Sequence, residues 1–121
     1  MHRLSRQVRF SINPFVPVQT GFNSYASKPC GAGLSYYLAL WVELASALDP
    51  DTGFVVNVSQ IDRAVRSEVI GLFDAAVREA AHAGRGLSVY DLCVLMRTVW
   101  SQIARVFSSM RLERLALELN P

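Results

Sequence analysis

Apolar and polar residues alternate along the first part of the chain, from Arg3 to Ile12. This period of two predicts a β-strand with one buried face, because successive side chains of a strand point to opposite sides of a sheet. Arg6 interrupts the apolar face, which indicates that the strand begins at a sheet edge. The next stretch, Asn13 to Gly33, contains three prolines and three glycines, and it predicts a long loop.

Three further strands are predicted. From Leu34 to Leu48 both alternating faces are largely apolar, as in a strand that is covered on two sides. The segment Asp49 to Gly53 reads Asp-Pro-Asp-Thr-Gly and predicts a tight turn. Phe54 to Val58 then returns to complete a β-hairpin. The last strand is predicted from Arg111 to Leu119, where leucines alternate on one face.

Two helices are predicted between the hairpin and the last strand, because apolar residues there recur every three or four positions. Ser59 is expected to cap the first helix, with Asp62 in its first turn, and Gly84 and Gly86 are expected to end it. Ser88 is expected to cap the second helix, with Asp91 in its first turn. This order of elements predicts an α+β domain in which two helices pack on one face of an antiparallel sheet. The apolar second strand favours another subunit as the cover of the opposite face.

The composition suits a single globular domain of 121 residues, with 51% hydrophobic and 18% charged residues. The formal net charge of +2 is too small to indicate binding to nucleic acid or to a membrane surface. No apolar stretch is long enough for a membrane span, and the polar–apolar alternation near the first residue does not resemble a signal peptide. The expected location is therefore cytoplasmic.

The two cysteines lie in different surroundings and do not indicate a disulfide framework. Cys93 belongs to the apolar pattern of the second helix, so it is expected to be a small buried side chain. Cys30 follows Lys28 and Pro29 and is expected on the long loop.

The segment from Cys30 to Asn57 carries two motifs in a fixed order. Cys30-Gly31 is followed, with no gap in spacing as far as Gly53, by Asp-Pro-Asp-Thr-Gly-Phe-Val-Val-Asn. This resembles the 6-pyruvoyltetrahydropterin synthase and 6-carboxytetrahydropterin synthase family, which reads C-G-x-x-H-G-H-N-Y, a strand, and then D-x-x-T-G-h-h-h-D-h, where h is apolar. Phe10 resembles part of the family's F-x-A-A-H strand, and Leu112 to Pro121 is similar to its closing strand. The chain is thus identified as a degenerate member of that family.

The resemblance implies the tunnelling fold, in which two helices lie on a four-stranded antiparallel sheet and the sheets of several subunits join around a barrel. It also implies a zinc ion held by three histidines, one at the end of the first strand and two in the H-G-H motif. The equivalent positions in this chain hold Pro14 (or Asn13 beside it), Leu34 and Tyr36. The only histidines are His2 and His82, so three imidazoles cannot come from one chain, and no zinc or other cofactor is predicted.

The resemblance places the family's catalytic cysteine at Cys30. We interpret this residue as a remnant, because without zinc its thiolate has no polarised substrate to act on. The nearest counterpart of the acid–base pair is Asp74, which has no histidine beside it and is expected to be solvated. The helix that starts at Ser88 lacks the family's glutamate. The position of the pterin-anchoring glutamate falls on Leu119, or on Glu118 if the alignment shifts by one residue.

Three functional hypotheses follow. The first is a non-catalytic structural or assembly domain that joins a homo-oligomer, or a catalytic sister domain in a tandem protein, through edge strands at Arg3 to Ile12 and Arg111 to Leu119. The second is a lyase on dihydroneopterin triphosphate whose zinc ligands come from another chain or are different residues. The third is a non-catalytic binder of a flat, pterin-like ligand through Tyr36, Tyr37 or Trp41.

Overall fold

The described part of the chain forms one three-stranded antiparallel sheet covered by helices. The computed structural model describes residues 2–14, 36–47, 50, 53 and 56–119. Within them, β1 spans His2–Ile12, β2 spans Tyr36–Ser46 and β3 spans Arg111–Leu119. The strand order is β1-β2-β3, so β2 is hydrogen-bonded on both sides. The predicted α+β class with an antiparallel sheet is confirmed.

The register brings the leucine, valine, isoleucine and phenylalanine side chains of the three strands to one face. Val8 of β1 and Leu117 of β3 both lie opposite Leu40 of β2. Because directly opposed residues share a face, this row and its neighbours along the sheet form a continuous apolar surface. A bulge in the pairing of β2 with β3 lies between Glu43 and Leu44. It places Leu112 on the same apolar face, where it is buried.

The helices follow β2 and cover this apolar face. α1 spans Val58–Ala64, a π-helical segment spans Val65–Val69, and α2 spans Ile70–His82. After a short connection, α3 spans Val89–Val106 and leads into β3. Within the described ranges, no helix has the length and apolar character needed to cross a membrane.

The start of α1 corrects two predictions. Asn57, not Ser59, caps the helix: its side-chain oxygen accepts from the backbone N–H of Ser59 at 3.0 Å, and its own N–H donates to Gln60 Oε1 at 3.3 Å. This reciprocal capping box satisfies two backbone donors at once, so it fixes the helix start earlier than predicted. Val58 is therefore helical, and Val56 is not in a strand. Phe54 and Val55, the rest of the predicted strand, lie outside the described residues.

The π-helical segment changes the phase of the apolar stripe between α1 and α2. Val65 and Val69 are fully buried, and so is Phe73, while Ile70, directly after Val69, is also nearly buried. A π turn holds one residue more than an α-helical turn, so it shifts the residues that follow around the helix axis while these side chains stay buried. The single predicted helix is therefore confirmed as a continuous helical stretch with a π turn inside it.

The core lies between the sheet and the helices. Phe10 of β1 and Phe73 of α2 are both fully buried, and their ring centroids are 5.5 Å apart with the planes tilted by 52°. This is a favourable geometry for an aromatic pair. Val99 and Ile103 of α3 are also fully buried, so both long helices contribute to the same core.

Of the predicted turn between Asp49 and Gly53, the structure describes Pro50 and Gly53. Gly53 has a φ of +73°, a left-handed conformation that favours glycine and fits the predicted tight turn. The predicted loop from Asn13 to Gly33 lies outside the described residues beyond Pro14.

Candidate functional site

The end of β1 and the start of β2 bring together two of the positions that the resemblance assigns to zinc ligands. Ile12, the last residue of β1, lies opposite Tyr36, the first residue of β2. Asn13 and Pro14 therefore leave the sheet beside Tyr36, and both are buried. Leu34 and Cys30 lie outside the described residues, so the structure does not place them.

A guanidinium group from α2 lies against this position. Arg78 donates through Nη2 to the carbonyl oxygen of Asn13 and through Nη1 to that of Pro14, each at 3.3 Å. Its Nε donates to Asp74 Oδ2 at 2.9 Å. The side chains of Arg78 and Asp74 are only 22% and 19% exposed. The arginine thus serves as a hydrogen-bond donor for backbone carbonyls that the sheet no longer pairs.

Asp74 is held in this cluster. The expectation of a solvated helix residue is corrected, since its carboxylate forms a partly buried ion pair with Arg78 one helical turn away. A pair at this spacing lies on one face of a helix. Asp74 therefore orients the guanidinium toward Asn13 and Pro14.

The described residues at this position do not suit a zinc ion. Proline has no side-chain atom that can ligate a metal. The Tyr36 hydroxyl is directed toward Gly86, in the connection after α2, where a Cβ added to the glycine would lie 3.7 Å from the hydroxyl oxygen. The guanidinium of Arg78 is held on the carbonyls of Asn13 and Pro14, so its positive charge also repels a metal cation placed there. Among the residues that the structure describes, no three histidine, cysteine, aspartate or glutamate side chains are grouped so that they could hold a metal ion.

The histidines lie on different elements. His2 is the first residue of β1, at the opposite end of that strand from Asn13, and His82 is the last residue of α2. Both are exposed. Neither belongs to the Arg78 cluster.

The three aromatic residues proposed for a flat ligand are not brought to one face. Tyr36 belongs to the helix-covered face of β2, whereas Tyr37 and Trp41 belong to the opposite face. Four residues along a strand separate Tyr37 from Trp41 by about 13 Å. Trp41 is 36% exposed, and its Nε1 donates to Glu118 Oε1 at 3.4 Å. Because successive side chains of a strand alternate between its two faces, these three rings do not stack on one another.

Glu118 and Leu119, the two candidates for the family's pterin-anchoring position, point to opposite faces of the sheet. Glu118 lies on the face of Trp41, and Leu119 lies on the face of the helices, opposite Leu38. Leu119 is 41% exposed. The two alignments of the resemblance therefore assign this position to different sides of β3.

An apolar groove between α3 and β3 was not anticipated from the sequence. It is a largely open groove with a volume of about 810 Å³. It is lined by Val89, Leu92, Cys93, Met96, Arg97, Trp100 and Ser101 of α3 and by Leu115, Leu117 and Leu119 of β3. Apolar residues recur along α3 at helical spacing, but the buried part of that helix is limited to Val99 and Ile103.

Cys93 shows how the stripe is divided. It was expected to be buried, but it is exposed and lines the groove. Trp100 lies on the same side of α3 and is 40% exposed. The sequence signal that could have indicated a groove is the width of the stripe, which exceeds the face that one core contact can cover.

The N-terminus of α3 is closed by its own side chains. Ser88 caps the helix as predicted: its Oγ accepts from the backbone N–H of Asp91 at 3.0 Å, and Asp91 Oδ2 accepts from the N–H of Ser88 at 3.1 Å. Arg85 also donates to this carboxylate at 2.9 Å. The hydrogen bond from the Ser88 backbone, followed by the Ser88 hydroxyl and Arg85, lowers the pKa of Asp91. This group is a structural cap.

Comparisons of the chain with protein-family models, with curated proteins and with solved structures give no match.

Proposed function

We propose that this chain is a non-catalytic domain of the 6-pyruvoyltetrahydropterin synthase type, with the tunnelling fold, and that it serves assembly. The observation that carries this proposal is the Arg78 guanidinium on the carbonyls of Asn13 and Pro14. In the resembling family a zinc ligand occupies this end of the first strand. Here the same position holds a permanent positive charge.

The chemistry of the cluster supports a structural role. Arginine stays protonated at any physiological pH, so Arg78 cannot act as a general base. Its donors are directed at main-chain oxygens and at Asp74. This arrangement holds the chain that leaves β1 against α2, and it leaves Asp74 paired.

The assembly role is supported by β3, the last strand in the order β1-β2-β3 of the described residues. β3 pairs with β2 on one side, and the apolar groove lies beside it. An edge strand offers backbone donors and acceptors to another strand. A partner that adds a strand there, either a second copy or a catalytic sister domain, would gain backbone hydrogen bonds and apolar contacts together.

Zinc content and turnover test the proposal. The purified chain is equilibrated with zinc chloride and dialysed, the metal is quantified per chain, and the same sample is incubated with dihydroneopterin triphosphate. We expect far less than one zinc per chain and no pterin product. One tightly bound zinc per chain together with turnover would instead establish the lyase whose zinc ligands come from a neighbouring chain.

A matched variant separates the site from general metal affinity. His82, at the end of α2, and His2, at the start of β1, are both exposed, and both can bind metal non-specifically. Any weak zinc binding is therefore expected to fall in the double variant with His2→Ala and His82→Ala. Retention of one zinc per chain in this variant would contradict the proposal.

A further inference from the structure

The described residues of α3 and β3 leave an open apolar surface in the groove between them. Trp100 of α3 is 40% exposed there, Leu119 of β3 is 41% exposed, and Val89 at the start of α3 is 77% exposed. Single exposed apolar side chains are common, whereas a contiguous apolar surface marks a site of interaction. The groove volume of about 810 Å³ lies within the range of roughly 300–1,000 Å³ that is usual for small-molecule sites.

One positive charge stands in this apolar lining. Arg97 belongs to the wall that α3 provides, and among the described residues its guanidinium has no hydrogen bond or ion pair. The residues one helical turn away on either side, Cys93 and Ser101, are not carboxylates. Ser101 Oγ donates to the carbonyl oxygen of Arg97 at 3.2 Å, so its hydroxyl proton is not offered to a ligand. Arg97 is the only charged side chain in the described lining.

The acidic side chains of α3 and β3 do not neutralise this charge. Each accepts a hydrogen bond from another residue: Asp91 from Arg85, Glu113 from Arg111 and Glu118 from Trp41. Glu118 also lies on the face of the sheet opposite the helices. The groove therefore combines an apolar surface with a cation that the protein groups described around it leave uncompensated.

The arrangement of the two elements gives the site a direction. Four residues connect the end of α3 at Val106 to the start of β3 at Arg111, so the strand runs back along the helix. Val89, the first residue of α3, and Leu119, the last residue of β3, therefore lie toward the same end of the groove. Arg97 is eight residues along the helix from Val89, a distance of about 12 Å. An anion at Arg97 leaves this length of groove for an apolar chain.

We propose that the groove binds a fatty acid, with its carboxylate on Arg97 and its alkyl chain directed along α3 toward Val89 and Leu119. A linear chain suits a narrow apolar trough, and the carboxylate supplies the negative charge that the lining lacks. One guanidinium balances the single charge of a carboxylate, whereas a phosphomonoester carries nearly two charges at neutral pH.

This inference goes beyond the assembly role and does not rest on it. A partner strand joins in the plane of the sheet, beside β3, whereas the ligand lies above that plane against α3. Assembly through β3 therefore leaves the wall that carries Arg97 in place.

Decanoate and decanol, which share a chain length and differ in charge, test the two parts of the site. Trp41→Phe leaves Trp100 as the only tryptophan of the chain, so its fluorescence reports on the groove. We expect decanoate, added below its micelle concentration at neutral pH, to shift the Trp100 emission to shorter wavelength and to saturate, because the alkyl chain excludes water from the ring. Decanol should bind about three- to tenfold more weakly, since it forms no ion pair and Arg97 is exposed to solvent.

Two matched variants test the assignment of the carboxylate. Arg97→Gln removes the charge and keeps an apolar stem, so the affinity for decanoate is expected to fall about three- to tenfold while that for decanol is unchanged. Arg114→Gln removes an exposed arginine from the opposite face of the sheet and should leave both affinities unchanged.

Cys93 provides a readout that does not depend on fluorescence. It is exposed in the groove, and Cys30→Ser makes it the only cysteine of the chain. The rate of its alkylation by iodoacetamide is expected to fall as decanoate is added, over the same concentration range as the shift in Trp100 emission.

Several results would overturn the inference. An unchanged Trp100 emission, or a Cys93 that reacts at the same rate with and without decanoate, shows that no chain enters the groove. A Cys93 that is unreactive before any ligand is added shows that another surface already covers it. Equal binding of decanoate and decanol, or wild-type affinity of Arg97→Gln for decanoate, removes the basis for a fatty acid. Thermal melting of each variant confirms that a loss of binding does not reflect unfolding. One zinc per chain with turnover would overturn the non-catalytic function proposed above without affecting these measurements.

Discussion

Arg78 donates to the main-chain carbonyl of Pro14 at 3.3 Å, which links two residues 64 positions apart in the sequence. Pro14 is the last described residue after β1, and Arg78 belongs to α2. The contact therefore fixes the point at which the chain leaves the sheet. The resemblance assigns this position to catalysis. Here the contact packs a helix against the end of a strand.

Removal of this guanidinium is expected to destabilise the fold. Arg78→Ala leaves the carbonyls of Asn13 and Pro14 without this donor and leaves the partly buried Asp74 carboxylate without its cation. Loss of hydrogen bonds of this kind costs about 1–3 kcal/mol in the free energy of unfolding. Urea denaturation followed by circular dichroism measures the difference.

Two variants control this measurement. Arg78→Lys keeps the charge but cannot reach two carbonyls and a carboxylate with a planar fork, so we expect an intermediate loss. Arg63→Ala removes an exposed arginine of α1 and is expected to change stability by less than about 0.5 kcal/mol. Equal effects of Arg78→Ala and Arg63→Ala would show that the Arg78 contacts contribute nothing to stability.

The aromatic pair in the core gives a second prediction. Phe10→Ala and Phe73→Ala each remove a fully buried ring, and a loss of about 3–5 kcal/mol in the free energy of unfolding is expected for each. Phe10→Leu and Phe73→Leu are milder replacements that suit a double-mutant cycle. The cycle should yield a coupling of about 0.5–1.5 kcal/mol, because the rings contact each other directly. Strictly additive effects of the two leucine variants would contradict that contact.

The alternation of the first strand predicted its buried face, but it could not explain Arg6. The arginine lies on the apolar face, opposite Val42. Its Nε and Nη2 donate to Oδ1 and Oδ2 of Asp62 in α1, each at 2.9 Å. The residue pattern around Asp62 indicates only an interaction with the helix dipole. A pair 56 residues apart depends on how the helix crosses the sheet, and no local pattern contains that information.

The helix boundaries and the groove were missed for related reasons. Ser59 and Asn57 are both good caps by residue type, and the choice depends on Gln60, whose side chain completes the box at Asn57. The apolar stripe of α3 was predicted correctly as a stripe. Its division between the core at Val99 and the groove at Trp100 depends on where β3 ends the sheet, which periodicity alone does not specify.

The bidentate pair of Arg6 with Asp62 gives a third prediction. The carboxylate accepts from the guanidinium and raises the pKa of Arg6, first through the hydrogen bond and then through charge. The two side chains are 42% and 29% exposed, so solvent screens them, and Asp62→Asn is expected to cost only about 0.5–1 kcal/mol. Most of that loss should disappear in 1 M salt. A loss that is unchanged in high salt would mean that packing, and not charge, accounts for it.

The cap of α3 gives a prediction for pH. Because the pKa of Asp91 is lowered in the folded chain below its ordinary value of 3.8, the folded state holds this proton less tightly than the unfolded state. Its stabilising contribution is therefore fully present above pH 3.8 and is lost as the pH falls through the lower folded value. Asp91→Asn removes the titrating group, so the variant should be less stable than the wild type at pH 7, and the difference should shrink below pH 3.8. Tyr90→Phe, at an exposed neighbour without a carboxylate, is the control and should show a constant difference. If the gap between the wild type and Asp91→Asn is the same at pH 7 and pH 2.5, the carboxylate does not stabilise α3 through its charge.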